Sequence, residues 1–205
     1  MTPLKIQPTP KWIRGRIGDR LVVDSKNTML VWEHPYYPCW YFPAETILDP
    51  SLPITINDSL PGFIKVDFDA VDQWFEEDEE VFVHPRDPEV RVDAQPSSRR
   101  VTVTVDGEII ADTVSPVILY ETGLPPRFYI PTSDIAMARL TPSKTTTGCP
   151  YKGTARYWNI ETDRGSLTDV AWSYPTPLPE SAPIAGHVSF FAERTVITVD
   201  GETPD

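Results

Sequence analysis

Short apolar runs, separated by turns rich in Gly, Pro and acidic residues, recur along the whole chain. RVTVTVDGEIIADT (residues 100–113) alternates apolar and polar positions on both sides of an Asp-Gly pair, which predicts two strands joined by a tight hairpin. The runs EVFVHP (80–85) and VITVDG (196–201) alternate in the same way. PVILYETG (116–123) and RFYIP (127–131) are β-branched and aromatic, as expected of strands. The pattern predicts an all-β protein with little helix.

Two segments of the sequence are compatible with helical structure. DFDAVDQWFEE (67–77) is compatible with a helix, or with a strand followed by an acidic turn, and both alternatives stay open on the sequence alone. PLPESAPIAG (177–186) predicts a short helical turn.

The chain repeats itself. Residues 18–47 align without a gap with residues 106–135, at an offset of 88 (112 minus 24). The pairs that match are Asp24 with Asp112, Glu33 with Glu121, Pro38 with Pro126, Tyr41 with Tyr129 and Pro43 with Pro131. Residues 97–108 also resemble residues 192–202. We therefore predict two tandem copies of a small antiparallel β barrel or roll, residues 11–100 and 101–205, with the site in the second copy.

Charge and composition exclude several classes of partner. The 205 residues carry a net charge of -12, so neither nucleic acid nor an anionic membrane surface is expected as a partner. There is no apolar run of spanning length, and the first twelve residues do not resemble a signal peptide. Cys39 and Cys149 give no disulfide framework and no zinc quartet. The expectation is a reduced, cytoplasmic monomer or homodimer without a cofactor.

One stretch departs from the acidic background. Residues 135–158 contain Arg139, Lys144, Lys152 and Arg156 but no Asp or Glu. Within this basic island, the amides of the turn-like sequence YKGT can cradle an anion. The first copy has no such island and carries EEDEE (76–80) instead.

Four segments carry a family resemblance: WFEEDEEVFVHPRDP (74–88), ETGLPPRFYIP (121–131), CPYKGTARYW (149–158) and AWSYPTPLP (171–179). They resemble the domain-of-unknown-function 427 family, which is catalogued under a nucleotidyltransferase-like label. The resemblance implies small all-β domains, single or in tandem, and a tent-like β fold. Metal-dependent nucleotidyl transfer uses an Asp-x-Asp pair after a Gly-Ser turn, and DFDAVD (67–72) has the spacing without the turn. Since His34, His84 and His187 are also widely spaced, no metal site is predicted.

Candidate site residues come mainly from the second copy. Glu121, at a strand end, is the candidate acid/base, and Lys152 is the second catalytic candidate and forms an anion clamp with Arg127. The other ligand-binding candidates are Tyr129, Tyr151, Arg156, Trp158, Trp172 and Tyr174. The candidates in the first copy are Glu33, His34, His84 and Arg86. The structural alternative is that Glu33 and Glu121 stabilise their loops. The aromatic residues would then belong to the hydrophobic core, beneath Lys and Arg side chains that are exposed to solvent.

The leading functional hypothesis is an enzyme that uses acid/base chemistry on a small anionic metabolite in a cationic and aromatic pocket. A non-catalytic ligand-binding or regulatory module using the same pocket is the first alternative. A nucleotidyltransferase-like enzyme, as the family label implies, is the second.

Overall fold

A computed structural model describes residues 4–204 and consists almost wholly of antiparallel strands. Strands hold 53% of the chain and helical turns 9%, and every helical segment in the described range is a short 3-10 turn, so the all-β prediction is confirmed. The sheets within residues 4–204 are open, and none closes into a barrel. No helix in this range is long and apolar enough to span a membrane.

The first compact unit ends at Pro88. Its strands are β1 (Lys5–Thr9), β2 (Ile13–Ile17), β3 (Arg20–Ser25), β4 (Thr28–Trp32), β5 (Cys39–Pro43), β6 (Ile54–Ile56), β7 (Phe63–Val66), β8 (Gln73–Glu76) and β9 (Glu79–Val81). Its 3-10 turns are η1 (Ala44–Thr46) and η2 (Phe68–Ala70). One sheet has the order β1-β4-β5-β7-β6 and the other the order β3-β2-β8-β9. Trp40, Phe42 and Trp74 are buried in the core of this unit.

The second unit begins at Glu89. Its strands are β10 (Val92–Pro96), β11 (Val101–Val105), β12 (Glu108–Thr113), β13 (Val117–Glu121), β14 (Arg127–Pro131), β15 (Leu140–Cys149), β16 (Gly153–Thr162), β17 (Gly165–Ser173), β18 (His187–Phe190) and β19 (Val196–Val199). Its 3-10 turns are η3 (Thr132–Asp134), η4 (Met137–Arg139) and η5 (Pro179–Ile184). The sheet orders are β10-β13-β14-β18-β17-β16-β15 and β12-β11-β19.

The two units share one pairing scheme. Strands β1 to β5 correspond to β10 to β14 at the offset of 88, and β7 and β8 correspond to β18 and β19. Even the irregularities coincide, because β2 bulges after Gly15 and β11 bulges after Val103. β10 pairs with β13 as β1 pairs with β4, which places β10 in the second unit and the division of the chain before residue 100.

The similarity between residues 97–108 and 192–202 has a different meaning from the one expected. β11 and β19, which contain the resembling residues, are antiparallel neighbours in one sheet. The counterpart of β19 in the first unit is β8, because Gly15 pairs with Trp74 as Val103 pairs with Ile197. The two segments are alike because both strands run into an Asp-Gly turn, not because they occupy equivalent places in the two copies.

The second unit contains an additional hairpin. Its long strands β15 and β16 extend the sheet beyond β17, whereas the sheet of the first unit ends at the three-residue β6. Lys144, Lys152 and Arg156 of the basic island lie in this hairpin, and Arg139 lies in η4 just before it. Acids distant in sequence pair with Arg139, which lies 3.0 Å from Glu108 and 3.1 Å from Asp163.

The structure shows which secondary structure is formed by the two segments that were compatible with a helix. The strand alternative holds for residues 67–77, where η2 precedes β8 and an acidic turn follows. Asp67 caps η2 by accepting the Asp69 amide at 3.2 Å. Trp74 and Glu76 face inward on alternate positions, as in a strand and not a helix. The turn predicted within residues 177–186 is η5.

Candidate functional site

A concavity in the first unit has a volume of about 450 Å³. We call it the aromatic cavity. Its lining includes Tyr37, Cys39, Trp40, Phe42, Thr55, Lys65, Asp67, Phe68, Asp69, Trp74, Val83 and His84. It opens where β5 and β7 separate, since these strands pair only at Phe42 with Ile64 and at Pro43 with Phe63.

Trp74 forms the centre of the wall. Its ring stacks on Phe42 at 5.7 Å with an interplanar angle of 2°, and its centroid lies 5.8 Å from that of Phe68. The indole Nε1 donates to the Phe68 carbonyl at 3.0 Å, which fixes the ring. A Cβ on Gly15, in the neighbouring strand β2, would lie only 3.0 Å from Trp74, so a larger residue there would require the indole to shift.

Trp40 is 3% exposed, and its Nε1 is buried without a hydrogen-bond partner in the described chain. Its ring packs 5.2 Å from Trp74 and 6.0 Å from Phe68. Buried ring donors are normally satisfied, so the unpaired Nε1 is an unusual feature of this core.

A stack of three rings borders the cavity. The Tyr37 ring lies between His34, at 4.5 Å, and His84, at 4.2 Å. His84 Nδ1 lies 2.7 Å from the Pro85 carbonyl, so we assign the proton to Nδ1 and leave Nε2 as an acceptor. Burial lowers the pKa of His84, with a hydrogen bond to Pro85 acting against it, so the imidazole is neutral at pH 7.

The backbone that holds His84 is strained. Val83 has a φ of 73°, a conformation that costs a β-branched residue energy. The His84 amide donates to the Phe82 carbonyl at 2.9 Å, which closes a γ-turn of the rare, strained type around Val83. Such strain persists only where the surroundings hold it, and it is concentrated at functional sites.

A lysine and three carboxylates set the electrostatics of the cavity. Lys65 bonds Glu33 at 2.5 Å, and Tyr41 donates to the other Glu33 oxygen at 2.6 Å. Burial opposes ionisation of Glu33, but the bonds from Lys65 and Tyr41 outweigh it and lower the pKa of Glu33. Asp67 and Asp69 are exposed at the rim.

The second unit has a cavity at the equivalent position, with a volume of about 230 Å³. We call it the counterpart cavity. Phe128 replaces Trp40, Ala192 replaces Phe68 and Ile197 replaces Trp74. Loss of ring surface at these positions accompanies the smaller volume.

A different concavity in the second unit contains the predicted Glu121 and Lys152, and its volume is about 200 Å³. We call it the Glu121 concavity. Lys152 Nζ donates to Glu121, and their side chains are only 11% and 12% exposed. Lys152 lies in the β15–β16 turn. Its backbone carbonyl accepts a hydrogen bond from the Leu178 amide at 3.2 Å. Gly153 has a φ of +94° and lies against the Thr176 carbonyl, where a side chain would be strained.

Aromatic residues form the wall of the Glu121 concavity. Trp172 Nε1 donates to the Tyr129 hydroxyl at 3.0 Å, and Arg127 lies over the Trp172 ring at 5.6 Å. Burial raises the pKa of both Tyr129 and Tyr174, so both phenols stay protonated at neutral pH.

Six of the nine second-copy candidates line this concavity: Glu121, Arg127, Tyr129, Lys152, Trp172 and Tyr174. The other three lie elsewhere. Trp158 packs against another core cluster and donates to Ser173 at 3.0 Å. Arg156 is exposed on β16, and the Tyr151 carbonyl accepts a bond from Ser181 at 3.3 Å.

Sequence reasoning missed Leu119, Leu124, Tyr157 and Phe191 in this lining. Tyr157 and Ala155 are two positions apart on β16 and pack in one cluster, a period of two that the sequence displays. Phe191 follows β18, and no motif marks it.

The first-copy candidates divide between cavity and surroundings. His84 lines the aromatic cavity, His34 reaches it only through Tyr37, and Glu33 pairs with the lining Lys65. Arg86 bonds Glu79 at 2.7 Å and lies outside the lining. Within residues 4–204 no group of three His, Cys, Asp or Glu side chains is arranged to hold a metal ion.

Comparison with known proteins gives a family and no function. A search of curated proteins finds no match. A family model matches residues 5–57 and 93–202, and these segments begin 88 residues apart (93 minus 5), the same offset as the internal repeat. The matched segments cover most of the chain, so the protein belongs to the family described as Domain of unknown function (DUF427), whose model carries a nucleotidyltransferase label.

Proposed function

We propose that this protein binds a small molecule and that its main site is the aromatic cavity of the first unit. The observation that carries the proposal is the size and lining of that cavity. Its volume of about 450 Å³ falls within the roughly 300–1,000 Å³ of small-molecule sites, whereas the other two concavities are smaller than that range.

The lining offers both an apolar surface and a few directed polar groups. Five aromatic side chains line the cavity, of which Trp40, Phe42 and Trp74 form its buried floor and Tyr37 and Phe68 are half-buried. His84 Nε2 offers an acceptor. A neutral imidazole on a strained, well-held turn can also accept a proton from a bound substrate, so His84 is the candidate general base of this site.

Three probes with a common benzyl body test the site: benzylamine, benzyl alcohol and phenylacetate. Titration calorimetry should detect binding of at least one of them to the wild-type protein. Phe68→Ala, which installs the residue found in the counterpart cavity, should weaken that binding by about tenfold through lost ring contact. Phe75→Ala is the matched control, because Phe75 is partly buried and outside the lining.

Two results would contradict the proposal. One is that no probe binds at any accessible concentration. The other is that Phe68→Ala and Phe75→Ala bind as the wild type does.

The Glu121 concavity supports a second candidate function, acid/base catalysis on a small anionic metabolite. The observation in its favour is a carboxylate and an ammonium group, both about nine-tenths buried, in one concavity with Arg127. Because Glu121 already matches the charge of Lys152, an anion must displace Glu121 to bind Lys152.

Glu121→Gln separates the roles of this pair. If the concavity binds anions, the substitution frees the lysine and strengthens phenylacetate binding several-fold. If Glu121 is also the acid/base, any turnover disappears. Unchanged binding of phenylacetate would leave Glu121 and Lys152 as a structural pair and end this candidate.

A further inference from the structure

The charges around the aromatic cavity do not balance. Lys65 is the one cationic side chain in the described lining, and it is held by Glu33. Asp67 and Asp69 add two carboxylates at the rim, and no ion pair is recorded for either of them within residues 4–204. One positive charge therefore faces three negative charges, an excess of two.

We infer that the ligand of the aromatic cavity is an organic cation, a protonated or quaternary amine on a small apolar body. The inference rests on the proposed function, because it names the class of molecule that the same cavity takes. An aromatic face carries the negative end of the ring quadrupole and attracts cations. Phe68 lines the cavity as a half-buried ring and lies between the two rim carboxylates in sequence.

Three observations favour a cation over an anion as the ligand. An anion would have to compete with Glu33 for Lys65, because these side chains are bonded at 2.5 Å. His84 lies in the lining as a neutral ring and adds no positive charge at pH 7. The net charge of -12 attracts cations at long range, although salt at about 0.1 M screens that attraction beyond roughly 10 Å.

The counterpart cavity provides an internal contrast. Its charged lining residues are Arg127 and Glu193, whose charges cancel and whose side chains lie 3.8 Å apart. Ala192 and Ile197 stand where the aromatic cavity has two rings. Neither the ring faces nor the excess of carboxylates is present there, so the inference applies to the first unit alone.

The three benzyl probes give the direct test, because they share a body and differ in charge at pH 7. The expected order of affinity for the wild-type protein is benzylamine, then benzyl alcohol, then phenylacetate. We expect about a tenfold step between the cation and the neutral probe, in keeping with a partly desolvated cation over aromatic rings. Raising the NaCl concentration should reduce the affinity of benzylamine and leave that of benzyl alcohol unchanged.

Asp69→Asn tests the carboxylates. We choose Asp69 because Asp67 also caps η2, so that its replacement would disturb the backbone. Asp69→Asn should weaken benzylamine binding about threefold, a modest factor because the group is exposed, and should leave benzyl alcohol binding unchanged. Asp58→Asn, which alters an exposed aspartate outside the lining, is the matched control and should change neither affinity.

The outcomes separate this inference from the proposed function. If benzyl alcohol or phenylacetate binds best, and Phe68→Ala still weakens that binding, the site stands and the charge assignment is overturned. Equal loss of affinity in the Asp69 and Asp58 variants would also overturn the assignment. If no probe binds, the proposed function fails and the inference fails with it.

Discussion

The two units of this chain share strand order, bulges and hairpin turns, yet they differ in where each has room for a ligand. In the first unit, Trp40, Phe68 and Trp74 surround a cavity of about 450 Å³. At the equivalent positions the second unit has Phe128, Ala192 and Ile197 and a cavity of about half that volume. The comparison teaches that a duplicated fold can keep its strand pairing while the wall residues and the volume of the equivalent cavity differ between the copies.

The equivalent glutamates teach a second lesson. Glu33 and Glu121 occupy the same place in the two copies, and each bonds a lysine. The lysines come from different elements, Lys65 from β7 and Lys152 from the additional hairpin. The equivalent glutamates therefore form ion pairs with lysines from non-equivalent elements.

Breaking the two ion pairs gives the largest expected effect on stability. Lys152→Met leaves Glu121, which is 12% exposed, without its partner, and should reduce the free energy of unfolding by about 3 kcal/mol. Lys65→Met leaves the more accessible Glu33 and should cost about 1 kcal/mol. Urea denaturation measures both, and Lys152→Met combined with Glu121→Gln should recover part of the loss. Equal costs in the two units would contradict the difference in burial.

The contact between Gly15 and Trp74 gives the next largest expected effect on stability. Gly15→Val introduces the residue found at the equivalent Val103 and would place a Cβ 3.0 Å from Trp74, at a cost of about 1–3 kcal/mol. Adding Trp74→Ile transfers the complete second-unit pair into the first unit. The double variant should be more stable than the sum of the two single effects predicts, as a double-mutant cycle by calorimetric melting would show. Additive effects would mean that the two residues do not constrain each other.

The pH dependence of stability gives the smallest effect. Burial lowers the pKa of His84 in the folded protein below its ordinary value of 6.5. The unfolded chain therefore takes up the proton first as the pH falls, so stability is full above about pH 6.5 and is lost below it. His84→Asn, which keeps a donor near the Pro85 carbonyl, should flatten the change in melting temperature between pH 7.5 and 5.5. A wild-type profile as flat as that of the variant would contradict a buried, neutral His84.

The sequence predicts the strands and the repeat well because both depend on local patterns. Alternating residues such as those of Val101–Val105 specify a strand directly, and the offset of 88 places the hairpins β2–β3 and β4–β5 over β11–β12 and β13–β14. The hairpin β15–β16 has no counterpart in the first unit, so the repeat could not predict where it would pair.

The candidate sites were harder to predict because their residues meet only through the fold. The walls of the aromatic cavity come from five separate segments between Tyr37 and Pro85, with no motif spacing. The Glu121–Lys152 bond joins residues 31 positions apart. A lysine from a stretch without acidic residues is therefore paired with a glutamate that is distant in sequence. Of the first-copy candidates named from the sequence, only His84 lines the aromatic cavity.

The most direct test of the first-unit site uses the six tryptophans as internal reporters. In a ¹H–¹⁵N NMR titration with benzylamine, each indole N–H gives its own signal. We predict saturable shifts for Trp40 and Trp74, which line the aromatic cavity, and none for Trp158 and Trp172 of the second unit. A shift of Trp172 without Trp40, or a uniform and unsaturable drift of all six signals, would contradict the placement of the binding site in the first unit.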